Sequence, residues 1–257
     1  MALRVRPRRA ASAIGSPYPA NRHCRVGVPI PLPGHALTVA TNRAGVLFDI
    51  DGTLLDTNYL HVLAWWQAFR DTGHEVAMWR LHRAIGIGSE ELVQRLLGRS
   101  DDAAVQAHSE RYAALRDQVT AFPKAAELLA GCAELGLTVV LATSGKKDDL
   151  DWMLPAIDAP EGVVAGVTTS ADVDAAKPHP DLLEAALRDH RLDRGRTVAV
   201  GDTVWDVEAA TSARLPCVAL LSGGIGVGEL SGAEAVYDDP AALLDRLGSS
   251  ALARIRV

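Results

Sequence analysis

Two aspartates one residue apart, Asp49 and Asp51, follow the short apolar run Gly45-Val46-Leu47-Phe48. The two-residue period of an extended chain puts both carboxyls on one side, with Ile50 on the other. Such a pair can hold a hard cation or share nucleophilic and acid/base work. Gly52 then allows a tight turn and a close approach of backbone to ligand. A second acidic pair lies in Gly201-Asp202-Thr203-Val204-Trp205-Asp206, after the apolar stretch Thr197–Val200. Asp202 and Asp206 are four apart at an expected helix start, so they share a face. Read alone, Asp202 could be a helix N-cap and Asp206 a solvated side chain.

Three or four carboxylates brought together repel strongly unless a cation joins them. A site with few carboxylates and room for phosphate oxygens suits magnesium. Thr143 follows the apolar stretch Leu137–Ala142 and offers a hydroxyl beside the expected helix N-terminal amides of Ser144 and Gly145. Lys177, in Lys177-Pro178-His179-Pro180, offers a compact positive charge on a loop stiffened by two prolines. Singly, Thr143 reads as a cap and Lys177 as a solvated loop charge. Their order and spacing relative to the aspartates favour phosphate binding.

These residues need a scaffold that gathers them. Gly45–Phe48, Leu137–Ala142, Val163–Val167, Thr197–Val200 and Cys217–Leu221 read as buried strands. Lys124–Leu135, Pro180–His190 and Asp206–Ala213 read as the helices between them. The alternation predicts an α/β fold: a doubly wound, Rossmann-like parallel sheet with helices on both faces. Ligands bind such sheets beyond the carboxyl ends of the strands. Residues 57–120 interrupt the alternation with helical spacing throughout, at Tyr59–Arg70, Val76–Ala84, Glu90–Leu97 and Ala103–Val119, with Ser89 and Asp102 as expected N-caps. The predicted organisation is an α/β core from 44–56 and 121–257, with a helical insert at 57–120.

Composition agrees with a globular protein. Hydrophobic residues make up 48% of the 257-residue chain and charged residues 23%. No apolar run approaches the ~18 residues of a membrane span. The three cysteines, Cys24, Cys132 and Cys217, show no zinc or disulfide spacing, which points to a reducing cytoplasm. The net charge of −6 is unevenly spread: seven of the 26 basic residues, and no acid, lie in residues 1–43. The remaining 19 basic and 32 acidic residues give the rest a charge of −13. An acidic body argues against nucleic acid as a partner. The Arg- and Pro-rich segment 1–43 can resemble a transit peptide, but reads better as a disordered extension.

The motifs together resemble the haloacid dehalogenase superfamily, over about residues 44–248. Asp49-Ile50-Asp51-Gly52-Thr53 is similar to its first motif, Thr143 to the second, Lys177 to the third, and Gly201-Asp202 with Asp206 to the fourth. The helical insert corresponds to the superfamily's small cap. The resemblance implies a Mg2+-dependent phosphatase acting on a small phosphorylated metabolite. Asp49 would be the nucleophile and Asp51 the acid/base group. Asp49, Asp202, Asp206 and the backbone carbonyl of Asp51 would hold the metal, with Thr143, Ser144 and Lys177 on the phosphate.

Asp51 argues against the dehalogenase and phosphonatase branches, which lack it; the absence of lysine from 57–120 also argues against the second. A β-phosphoglucomutase-like mutase is the nearer competitor, since Thr57 and His61 are similar to the pair that assists its acid/base aspartate. That branch also carries a lysine and an arginine around a cap glycine. Aligned on Gly86, those positions here hold Ile85 and Ser89. A non-catalytic phosphate-binding module is a further alternative, disfavoured by the complete set of motif residues. His61 either tunes Asp51 or is simply packed. Arg83 either reads substrate beside the Gly86-Ile87-Gly88 turn or complements a helix C-terminus.

Overall fold

The computed structural model describes residues 42–255. The expected extension thus lies outside the described residues up to position 41, whereas Arg43 already opens the first strand, β1 (Arg43–Phe48). Five helices follow: α1 (Asn58–Asp71), α2 (Met78–His82), α3 (Ser89–Leu97), α4 (Asp102–Ala113) and α5 (Ala125–Glu134). Strands and helices then alternate through β2 (Thr138–Ala142), α6 (Leu150–Ile157), β3 (Val164–Thr168), α7 (Asp181–Asp189), β4 (Leu192–Gly201), α8 (Val204–Ser212) and β5 (Cys217–Leu220). β6 (Ala235–Tyr237), α9 (Pro240–Asp245) and α10 (Ala251–Arg254) complete the order.

The strands form one parallel sheet in the order β3-β2-β1-β4-β5-β6. β1 is central, with Phe48 opposite Leu141 of β2 and Val200 of β4. Its side chains alternate between faces. Val46 and Phe48 pack with Leu128 of α5, Met153 of α6, Leu243 of α9 and Leu252 of α10, while Leu47 packs with Leu182 of α7 and Val207 of α8. Burial on both faces is why the strands read as continuous apolar runs. Phe48 alone, fully buried, contributes ~2–3 kcal/mol. This is the doubly wound, Rossmann-like α/β architecture expected from the sequence.

The chain winds outward from β1 in both directions, through β2 and β3 to one edge and β4 to β6 to the other. The crevice beyond the carboxyl ends of β1 and β4 is the topological switch point, where such sheets bind ligands. Asp49 directly follows β1, and Asp202 directly follows β4.

The helices α1 to α4 form their own apolar cluster, built on Val62, Trp65, Phe69, Leu81 and Leu92, which Trp205 of α8 joins. On α1 these residues fall at 62, 65 and 69, the spacing of one helical face. The chain enters and leaves this layer through one short ladder. Asp56 N–H donates to Thr120 O at 2.9 Å, Phe122 N–H to Leu54 O at 2.9 Å, and Leu55 bridges Ala121 antiparallel. Among the described residues, no helix is long and apolar enough to cross a membrane.

Several local expectations are corrected. Gly88, not Ser89, precedes α3, and Asp101, not Asp102, caps α4, its carboxylate accepting from Ala104 N–H at 3.1 Å. α4 ends at Ala113 and is followed by a separate single turn, Arg116–Gln118. No helix starts at Ser144; a turn at Lys147–Asp149 leads into α6 instead. α6 was not expected, because Pro155 lies inside it and breaks the helical signal. β6 is a three-residue edge strand, too short to show a period.

Candidate active site

The main chain fixes Asp49 before its side chain does anything: its N–H donates to Val200 O at 2.8 Å, tying the end of β1 to β4. The chain then turns sharply through Gly52, whose φ is +75°. A Cβ at Gly52 would run into Asn58 and Asp202, so the position takes glycine for both reasons. The turn brings Thr53 under the second acidic pair. Thr53 Oγ donates to Asp202 Oδ1 at 2.9 Å, and Asn58 Nδ2 donates to Asp202 Oδ2 at 2.8 Å.

Asp202 does not cap α8, and it is not on the helix at all. Thr203 is the N-cap, and Asp206 returns a carboxylate oxygen to it in a reciprocal capping box: Asp206 Oδ2 accepts from Thr203 N–H at 3.0 Å and from its hydroxyl at 2.5 Å. Asp206 is therefore buried rather than solvated. Its other oxygen lies 2.7 Å from Lys177 Nζ, and the same ammonium lies 2.6 Å from Asp49 Oδ1. Lys177 is 2% exposed, so it is a buried bridge between two aspartates and not a solvated loop charge.

Asp49, Asp202 and Asp206 bring one carboxylate oxygen each within 4.8 Å of one another, all buried. Burial pushes the Asp49 carboxyl up to about 7; Lys177 pulls it back, and Asp206 and Asp51 push it up further. Burial likewise holds Asp202 well above the carboxylate range, with Asp206 and Asp49 adding repulsion. Burial opposes the charge on Lys177, but Asp206 and Asp49 outweigh it and raise its pKa. Among these three buried acids, one ammonium pairs with two, Asp49 and Asp206. That donor set fits a hard divalent cation, which prefers carboxylate oxygens.

Asp51 points elsewhere. Its Oδ1 accepts from Thr57 Oγ at 2.6 Å, lies 3.2 Å from His61 Nε2, and accepts from Tyr112 OH at 3.4 Å. Burial alone would raise its pKa, but His61 and the hydrogen bonds from His61 and Thr57 hold it below the usual range. Behind it, His61 Nδ1 is 3.2 Å from His108 Nε2. His61 stacks on Tyr112 with ring centres 3.8 Å apart, and His108 stacks on Trp65 at 4.0 Å. His108, Tyr112 and the acceptor-fixing Thr53 and Asn58 were missed from sequence. The signal was present in part: His61 and Trp65, like His108 and Tyr112, are four apart and share a helix face.

Thr143 is buried at the end of β2, its N–H donating to Thr168 O at 3.1 Å and its hydroxyl accepting from Gly145 N–H at 2.9 Å. With Ser144 and Gly145 it lines a cavity of about 400 Å³ that also contains Asp49, Asp51 and His61. Ser144 Oγ is buried there without a protein partner, which suits an incoming oxygen ligand. Ile85, Gly86, Ile87, Gly88 and Ser89 face the same cavity; Arg83 does not. Its guanidinium is exposed and paired with Glu229, because the end of α2 turns that side chain toward the loop after β5. The Arg83 side chain thus lies outside the lining of this cavity. A second depression, about 480 Å³ and more open, lies between Asp172 and Arg188 and holds none of these residues.

The sheet order, the acid cluster at its switch point and the helical layer above it define a hydrolase of one large class. Residues 44–214 match the haloacid dehalogenase-like hydrolase family, to which this chain belongs. It stands in the branch that includes phosphoglycolate phosphatases and is, in class, a phosphoric monoester hydrolase. It is 31% identical to a phosphoglycolate phosphatase of Rhodospirillum rubrum, over 79% of this chain and 90% of that protein. It is 28% identical to Protein SUPPRESSOR OF QUENCHING 1, chloroplastic, of Arabidopsis thaliana, over 72% of this chain but spanning only 19% of that longer protein. A hydrolase of known structure from Pseudomonas syringae superposes with a TM-score of 0.76 at 35% identity, covering 80% of this chain and 99% of that one.

Proposed function

We propose that this chain is a Mg2+-dependent phosphatase that hydrolyses a small phosphomonoester through a phosphoryl group carried on Asp49. The observation that carries the reading is Asp49 itself: a buried carboxylate 2.6 Å from Lys177, facing the same cavity as Asp51 and Thr143. Lys177 Nζ and the Thr143 hydroxyl are donors suited to the outer oxygens of a transferring phosphoryl group. A carboxylate oxygen of Asp49 attacks phosphorus; the bond from phosphorus to the alcohol oxygen breaks, and the alcohol leaves with a proton from Asp51. Asp51 then takes a proton from water, which attacks the same phosphorus and releases inorganic phosphate, returning Asp49 to a carboxylate. Thr57, His61 and Tyr112 all meet Oδ1 of Asp51, so Oδ2 is the oxygen open to the substrate.

Asp49, Asp202 and Asp206, with the main-chain carbonyl of Asp51, would hold Mg2+. The ion would supply positive charge that offsets repulsion between the nucleophile and the anionic phosphate. In this reading residues 57–120 are a cap over a core of 44–56 and 121–257, shutting out bulk water when closed. The mutase alternative is disfavoured, since Ile85 and Ser89 bring no charge to the cavity for a second phosphate. Two of the cysteines, Cys132 and Cys217, are free and buried, consistent with work in the cytoplasm. The test is Asp49→Asn, assayed on an aryl phosphate with and without Mg2+. We expect turnover to fall by about a thousand-fold or more with the fold intact by circular dichroism; near-normal turnover would overturn the nucleophile.

A further inference from the structure

The half of the cavity that must receive the alcohol part of the substrate has a definite character. The wall from the helical layer carries the apolar Trp65, Ile85, Ile87 and Leu92, none more than 6% exposed, beside the polar His61, Ser89, His108, Ser109 and Tyr112. The charged side chains around it, apart from Asp49 and Asp51, are Glu90, Asp149, Asp174 and Lys146. Lys146 follows the Thr143-Ser144-Gly145 loop in sequence, but its Nζ reaches over to Ser109 Oγ of α4, 2.5 Å away, so its charge lies against the helical layer. Arg83, the basic residue nearest the Gly86 turn in sequence, is committed to Glu229.

A carboxylate or second phosphate on the substrate would enter this half of the cavity. Among the residues that line the cavity, it would meet three acids against one lysine, Lys146, which Ser109 already engages. Like charges near a water-poor wall repel more strongly than in bulk solvent, and a buried anion without a partner carries a desolvation cost. An uncharged alcohol meets neither penalty.

We infer that this site selects phosphomonoesters whose alcohol part is uncharged, and discriminates against substrates that carry a carboxylate or a second phosphate. The selectivity comes from the Glu90, Asp149 and Asp174 rim, which outnumbers Lys146. The inference rests on the phosphatase reading and narrows it, separating this chain in specificity from relatives named for phosphoglycolate.

The experiment measures kcat/KM of the full chain with Mg2+ on p-nitrophenyl phosphate, ribose 5-phosphate, phosphoglycolate and fructose 1,6-bisphosphate. We expect at least one of the first two to exceed both anionic compounds by about ten-fold or more. Phosphoglycolate or the bisphosphate hydrolysed equally well would overturn the inference while leaving the phosphatase reading intact. No turnover of any compound would overturn that reading; calorimetric binding of the same compounds then still decides selectivity, equal or tighter binding of the anionic pair counting against it. The double variant Glu90→Gln, Asp174→Asn should shift the ratio several-fold toward the anionic compounds. Both side chains are exposed, so folding is not at stake. An unchanged ratio would show that the acidic rim does not select.

Discussion

The three buried acids beside Lys177 should make the metal-free protein gain stability as pH falls, opposite to ordinary acid denaturation. Asp49 is raised from an ordinary 3.8 to about 7 and Asp202 well above 3.8, both through burial first and mutual repulsion second. A folded state that binds protons more tightly than the unfolded chain gains stability as pH falls through the folded pKa. For Asp49 alone this window opens near pH 7 and closes near the unfolded value of 3.8. Between about pH 8 and about pH 5 it adds roughly 2–3 kcal/mol, since each tenfold gain in proton affinity is worth ~1.4 kcal/mol. Asp202 adds in the same sense. Asp51 is lowered, so its contribution is lost only at more acid pH, below the window. Magnesium bound at the proposed site would replace the protons as counter-charge and stabilise by ~2.7 kcal/mol at a hundred-fold excess over its Kd. The assay is urea unfolding at several pH values, with EDTA or with saturating magnesium. Stability in EDTA should rise toward pH 5, and the gain from magnesium should be largest at pH 8. Asp49→Asn, neutral and similar in shape, should flatten the EDTA slope. Stability that is flat or falling from pH 8 to 5 in EDTA, with no response to magnesium, would refute the argument.

Other outcomes follow from the same geometry. His61→Asn removes a positioning contact to Asp51, so kcat should fall about ten-fold with KM little changed. The pH–rate profile should also move; a proportional loss of folded protein with an unchanged profile would make His61 merely structural. Arg83→Ala breaks an exposed pair, so stability should change by less than ~1 kcal/mol and kcat/KM by no more than about two-fold. A large rise in KM for that variant would return Arg83 to the substrate.

The sheet was legible because its strands are buried on both faces, and Val46, Leu47 and Phe48 announce that as an unbroken apolar run. The acids were legible because strand ends in such a sheet converge by topology. What escaped was set by packing between elements distant in sequence. Lys177 reads as a loop charge until α8 brings Asp206 to within 2.7 Å of it. Asp202 and Asp206 share a face only if a helix holds both, and Thr203 takes the cap instead. Arg83 could not be placed because its partner, Glu229, lies 146 residues away. The short edge strand β6 and the proline-containing α6 carry no local pattern strong enough to read.

All three side chains that meet Oδ1 of Asp51 belong to the helical layer or its entry: Thr57, His61 and Tyr112. The chain passes between that layer and the sheet through the ladder around Leu55 and Ala121. A displacement about this ladder that withdraws α1 and α4 would strip the carboxylate of its donors in the same movement that lets water in. The proton-transferring group would then be armed only while the chamber is shut, an interlock in which access and reactivity exclude each other. A phosphorylated Asp49 caught in an open chamber would face water without a competent base beside it, and its lifetime would be governed by how often the layer returns.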